Sequence, residues 1–173
     1  MKYEIFTKTY STPVGLLFGG ATKRGIAFLE FSKKNLLSEH KKKNEKKFNA
    51  VFPETPNGYL DILEDELNEY FAKKRKNFDI PLDIIKGTDF QRAVWKILLK
   101  IPYGKTVSYQ KQAEMLGNIK AVRAVANANG TNSIVILIPC HRVIGKNGSL
   151  TGFGGGLWRK ELLLNIERET IRA

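Results

Sequence analysis

Cys140 is the one thiol in the chain, and it stands beside His141 and Arg142 where the apolar run Ile134 to Ile138 ends at Pro139. An ionised thiol is a strong nucleophile, and positive neighbours lower a thiol pKa, so the trio has the makings of group-transfer chemistry. A lone cysteine has no partner for a disulfide within the chain. With two histidines the chain has three Cys or His side chains in all, too few for a thiolate-rich zinc site, and no metal is expected. The competing reading is an inert thiol that fills space, as most free cysteines do. Pro139 lacks an N–H and tends to end a strand, which places Cys140 at the edge of the run. Neighbours on an extended segment point to opposite faces, so His141 reaches the sulfur only through a turn or a bridging water.

Several elements must position these residues. Downstream, Gly145 to Gly148 is a turn, and Thr151 to Gly156 is too glycine-rich for the interior of an element. A helix from about Leu157 to Glu167 offers Trp158, Leu162, Leu163 and Ile166 to a core. Glu167 falls one turn beyond Leu163, either against that core or as an exposed carboxylate. Upstream, Thr88 and Gln91 have the spacing of a capping box, followed by a stripe of Phe90, Val94, Ile97, Leu98 and Ile101. Ser108 can cap a helix that Gly117 stops, and Asn118 can cap the next, about Ile119 to Ala128. That second helix puts Val122, Val125 and Ala126 on one face and Lys120, Arg123 and Asn127 on another, with Ala121, Ala124 and Ala128 small enough for close approach to a duplex. This is the pattern of a groove-binding helix in a helix-turn-helix, or of an ordinary solvated surface helix.

The first half is organised differently. Tyr3 to Tyr10, Gly15 to Gly20 and Gly25 to Phe31 alternate in the manner of a small antiparallel meander, and a helix carrying Leu60, Leu63, Leu67, Tyr70 and Phe71, capped by Asn57, should pack on it. Lys33 to Lys47 holds seven lysines and is expected as a solvated connector or exposed helix end, with His40 exposed. The expected division is residues 1–80, a linker at 81–86 around Pro81, and residues 87–173. Net charge is +12, and most of it lies with the cysteine: Met1 to Ile85 has 15 basic against 12 acidic residues, Lys86 to Ala173 has 14 against 5. A polyanion such as DNA is the natural partner of that half. No stretch approaches the roughly eighteen consecutive apolar residues of a membrane span and no signal-peptide pattern opens the chain, so a cytoplasmic protein (nuclear in a eukaryote) is expected.

The stretch Pro139-Cys140-His141-Arg142-Val143, with the glycine-rich loop and leucine-rich helix carrying Glu167, resembles the active-site signature of the O6-alkylguanine-DNA alkyltransferases, over roughly Gly87 to Glu167. The resemblance implies an α/β protein: a ribonuclease H-like N-terminal roll joined to a mostly helical domain with a winged helix-turn-helix. It implies a monomer without cofactor that flips O6-alkylguanine out of double-stranded DNA and moves the alkyl group, once and irreversibly, to Cys140. By the same resemblance His141 takes the thiol proton through a water, Glu167 orients the imidazole, and Asn132 holds the turn before the site. Arg123 intercalates, Tyr109 crowds the target phosphate and hydrogen-bonds the base, the backbone around Val143 with Phe153 and Gly154 recognises it, and Lys160 lies nearby. Ser108, Lys120 and Asn127 complete the expected DNA-facing set. Some relatives carry a hydroxyl residue near Gly154 and some bind zinc in the N-terminal half, and this chain departs from both patterns. The alternatives are a sensor of alkylated DNA that does not repair it, a helix-turn-helix transcription factor, and a thiol hydrolase.

Overall fold

Alternating side chains build the first sheet. Strands β2 (Phe6–Thr12), β3 (Gly15–Ala21) and β4 (Ile26–Ser32) form an antiparallel meander, preceded by the short β1 (Tyr3–Glu4). Gly20 lets the Phe28 ring lie directly on β3, because a Cβ there would sit 2.2 Å from the ring. Phe28 in turn stacks on Phe48 with centroids 5.1 Å apart. Phe48 ends helix α1 (Leu37–Phe48), and β5 (Ala50–Val51) then runs parallel to β1. Helix α2 (Gly58–Phe71) is capped by the Asn57 side chain and buries Leu60, Leu63, Leu67 and Tyr70, while the Tyr10 hydroxyl donates to Leu60 O at 2.9 Å and ties α2 to β2.

Two expectations fail here. The lysine-rich stretch is a packed helix, and His40 is not simply exposed: its ring bridges Ser32 Oγ (2.9 Å) and Glu30 (2.7 Å). His40, Asn44 and Lys47, at i, i+4 and i+7, all reach Glu30, so α1 faces the sheet partly with polar groups and carries little apolar signal. Burial alone would push the Glu30 carboxyl up, but His40, Lys47 and Asn44 together hold it down to about 2. Residues 81–86 also do more than link. Ile26 N–H donates to Pro81 O and Asp83 N–H to Ile26 O, at 2.9 and 2.8 Å.

The computed structural model describes all residues 1–173, and its chain divides into compact units Met1–Lys86 and Gly87–Ala173. In the second, α3 (Asp89–Leu98) opens with both halves of the Thr88–Gln91 capping box. It buries Val94, Trp95, Ile97 and Leu98, whereas Phe90, in the first turn, is exposed. Strand β6 (Val107–Ser108) leads into α4 (Tyr109–Leu116), capped by Ser108 and ended by Gly117 in the left-handed region at φ 88°. A 3-10 turn at Ile119–Ala121 precedes α5 (Val122–Gly130), so the second helix of the pair starts and stops later than its spacing predicts. Strand β7 (Val143–Ile144) pairs with β6, and α6 (Leu157–Arg172) closes the chain.

The run Ile134 to Ile138 is not a strand. Its residues are buried, but the backbone turns, with Ile136 at φ 72°. Asn132 causes the turn, its Oδ1 accepting from Ile134 N–H at 2.9 Å and its Nδ2 donating to Ile138 O at 2.8 Å. Trp158, expected in the core, is 53% exposed, while Leu163 and Ile166 are buried. No helix is long and apolar enough to cross a membrane.

Candidate active site

The turn bracketed by Asn132 delivers Cys140 as the first residue of a 3-10 turn, Cys140–Arg142. Successive side chains therefore fan around a tight coil instead of alternating, and His141 and Arg142 both go inward. His141 Nε2 meets Glu167 Oε1 at 2.8 Å, and both side chains are fully buried. Arg142 donates to the same carboxylate from Nε (3.0 Å) and Nη2 (2.9 Å), sends Nη1 to Ile101 O (2.7 Å), and lies 5.7 Å from the Tyr103 ring centroid. Gly104 N–H completes the shell of Glu167 at 3.1 Å.

This shell fixes the protonation states. Burial alone would push the Glu167 carboxyl up, but its contacts with His141 and then Arg142 outweigh it and hold it down to about 2. A carboxylate on Nε2 assigns the imidazole proton to that nitrogen. Nδ1 is left with its lone pair, buried and without a hydrogen-bond partner. Burial pushes the imidazole pKa down, against the pull of Glu167 and with the help of Arg142 and Lys160, so His141 rests neutral, as a base.

The thiol does not rest ionised. Burial pushes the Cys140 pKa up, and the Asn132 amide (Nδ2 to Sγ, 3.4 Å) and the Lys160 charge offset this only in part. This overturns the expectation that two adjacent cations activate the sulfur, since Arg142 is neutralised by Glu167 and His141 is uncharged. The cation that acts on the thiol comes from α6 instead. Lys160 is fully buried, donates to Thr151 O at 2.8 Å and Tyr109 Oη at 3.4 Å, and lies 5.9 Å from the Phe153 ring. Burial pushes it down to about 8.

Next to these residues is a groove of about 700 Å³ lined by Tyr109, Lys120, Val122, Arg123, Ala126, Thr151 and Gly152. Tyr109 donates to Thr151 O at 2.8 Å across it. Gly152, at φ 63°, permits that approach, because a Cβ would stand 2.9 Å from the hydroxyl.

Thus the Asn132 amide and the Lys160 charge act on the Cys140 sulfur, Glu167 holds His141 at the next position, and Tyr109, Lys120 and Arg123 gather around the groove. Asn127 is exposed on α5 but does not line it, Val143 is wholly buried in β7, and the Ser108 side chain is used as a cap. Gly154 is exposed, with nothing within 4 Å of where its Cβ would be. Val122 and Ala126, expected on a different face from Lys120 and Arg123, line the groove with them, while Ala128, expected to face a duplex, is buried and accepts the Trp95 indole N–H at 2.9 Å. The spacing did not single out Arg142 as the partner of Glu167, nor Thr151 and Gly152 as groove walls. No group of three or more His, Cys, Asp or Glu side chains is arranged to hold a metal.

Comparison with known proteins places this geometry. Residues 89–169 match the DNA binding domain of 6-O-methylguanine DNA methyltransferase, and residues 5–84 its ribonuclease-like domain. A methylated-DNA–protein-cysteine methyltransferase of Methanosarcina acetivorans is 41% identical over 167 residues, 96% of this chain and 98% of that one. The chain belongs to the 6-O-methylguanine DNA methyltransferase family. A Mycobacterium bovis member is 56% identical over 109 residues, 63% of this chain and 66% of its own length, just under two thirds. The crystal structure of Mycobacterium tuberculosis OGT in complex with DNA superposes with a TM-score of 0.81 at 39% identity, covering 96% of this chain and 94% of that one. In this member of the family the thiol, its histidine and carboxylate, and the groove all lie within the DNA binding domain.

Proposed function

We propose that the protein repairs double-stranded DNA by transferring an alkyl group from guanine O6 to its own Cys140. The observation that carries the reading is the buried chain from Glu167 through His141 Nε2, which leaves Nδ1 unpartnered one residue from a neutral thiol. A base with a free lone pair beside a nucleophile that must lose a proton is the logic of a catalytic triad.

The lesion first leaves the base stack, at a cost of about a few kcal/mol, less where pairing is already damaged. Arg123 on α5 fills the vacated space, Lys120 holds phosphate, and the extruded base enters beside Tyr109, Gly152 and Phe153. A water passes the thiol proton to Nδ1 of His141, and Lys160 and Asn132 stabilise the sulfur anion that results. The sulfur attacks the alkyl carbon, the S–C bond forms as the C–O6 bond breaks, and the electron pair goes to guanine. His141 gives up that same proton through water to the guanine, which Tyr109 hydrogen-bonds, so the S–H hydrogen is exchanged for the alkyl group overall. No residue near the site can cleave the thioether, so each molecule acts once.

The protein works as a monomer, since one chain supplies every residue named, and in a reducing compartment such as the cytoplasm, where the thiol stays free. A DNA sensor without repair chemistry would leave the buried Cys140–His141–Glu167 arrangement idle. Intact-protein mass spectrometry after incubation with an O6-methylguanine duplex tests the proposal. The expected result is the gain of one methyl group per molecule, at most, and none for Cys140→Ala. An unchanged wild-type mass, or repeated turnover on excess substrate, would refute it.

A further inference from the structure

Within Met1–Lys86, cations are interleaved with carboxylates: Lys8 meets Asp61 and Glu64, Lys23 meets Glu4, Arg24 meets Asp83, and Arg75 meets Glu69 and Asp79. The stretch Lys33 to Lys47 departs from this. It has seven lysines against two glutamates, whereas the rest of the unit has nine cations against ten carboxylates. All of the unit's positive excess therefore sits on one turn and α1. Of the seven, only Lys47 has a carboxylate, Glu30. Lys33, Lys34, Lys41, Lys42, Lys43 and Lys46 form no ion pair, and all but the half-buried Lys41 are exposed.

The helix is held in one orientation. Phe48 stacks on Phe28, and His40, Asn44 and Lys47 all end on Glu30, which directs Lys42 and Lys46 to the opposite, exposed side, with Lys43 exposed on its flank. Lys42 and Lys46 are a like-charge i, i+4 pair about 6 Å apart along the axis, an arrangement that destabilises a helix unless an outside anion offsets it. The favourable field of helix carbonyls reaches only the last turn, so it does not account for Lys42 and Lys43.

We propose that this face of α1 is a second binding surface for double-stranded DNA, holding phosphates without reading bases. It rests on the reading that the chain binds duplex DNA, and adds to the groove formed by α4 and α5. Compact lysine charges suit phosphate binding that carries no sequence information. A membrane surface is a poor fit, because the apolar side of the helix is already committed to the core and Leu36 is the one large apolar residue exposed along this stretch.

The test uses the full chain carrying Lys42→Gln, Lys43→Gln and Lys46→Gln together, and a long undamaged duplex. Every phosphate that the protein ceases to neutralise flattens the dependence of log affinity on log salt by about 0.9. The triple variant should flatten it by about 2 to 3, with weaker binding at low salt, an unchanged melting temperature and an unchanged rate of transfer from free O6-methylguanine base. The corresponding triple Lys→Arg variant should keep the wild-type slope. A Gln variant with wild-type slope and affinity overturns the proposal, as does a weakening that Arg does not restore. Failure of the repair reading shows separately, as an unchanged mass of the wild-type protein after damaged DNA.

Discussion

Glu167 accepts from His141, Arg142 and the Gly104 backbone at once, so a change there reaches all three. Glu167→Gln keeps the shape but leaves the Arg142 guanidinium buried without a counter-charge. Breaking one side of a buried pair costs about 3–5 kcal/mol, and urea unfolding should show a loss of that size. Removing both charges, with Arg142→Met added, should recover most of it, while transfer stays slow because the imidazole has lost its anchor. The same carboxylate sets an acid limit. Its folded pKa is depressed, so its contribution is complete above the unfolded value of 4.5 and is lost as pH falls toward 2. By linkage this amounts to about 3 kcal/mol, with Glu30 acting in the same sense in the other unit. Denaturation midpoints measured from pH 6 down to pH 2 should fall steeply below about 4.5; a flat profile would contradict it. The adjacency of Cys140, His141 and Arg142 was plain from the chain. Where the Arg142 charge goes was not, because that depends on a coil bringing it to a carboxylate 25 residues away.

Among the elements, legibility followed the kind of signal each one carries. Asn57, Thr88, Ser108 and Gly117 marked helix ends correctly, because capping is local chemistry between residues two or three apart. Helix α1 was obscured because part of its packed face is His40, Asn44 and Lys47, whose common partner lies on β4. The run Ile134 to Ile138 misled in the opposite direction, since β-branched residues suggest a strand while the Asn132 side chain supplies the hydrogen bonds of a turn. Asn132→Ala should therefore do two things. Leaving the Ile134 N–H unpaired, and Ile138 O with only the Cys140 N–H, should lower stability by about 1–3 kcal/mol. Loss of the amide donor at Sγ should slow transfer further than the stability change explains, as rates at saturating substrate would reveal. On α5, Arg123 lines the groove without touching the sulfur. Arg123→Ala should slow transfer from a duplex at least tenfold and leave the reaction with free O6-methylguanine base unchanged; equal loss on both substrates would place Arg123 in the chemistry instead.

For the whole molecule, the proposed one-use transfer has a structural consequence: it would alter the protein permanently, and at a buried point. Cys140 is 8% exposed, with the Asn132 amide at its sulfur and its N–H donating to Ile138 O. A methyl group added to Sγ has to be accommodated inside that packing, and inserting one methylene-sized group into a well-filled core costs about 1–3 kcal/mol. The strain acts within Gly87–Ala173, a unit of 87 residues, where 1 kcal/mol corresponds to about 4–8 °C in melting temperature. Protein reacted to completion with an O6-methylguanine duplex, then stripped of DNA, should melt several degrees below unreacted protein. Glu30 and the α1 cluster are outside that unit, so hydrogen exchange should quicken around Cys140 and α6 while the β2–β3–β4 meander stays as protected as before. An alkylated protein with an unchanged melting temperature would mean that the turn yields to the extra carbon without strain.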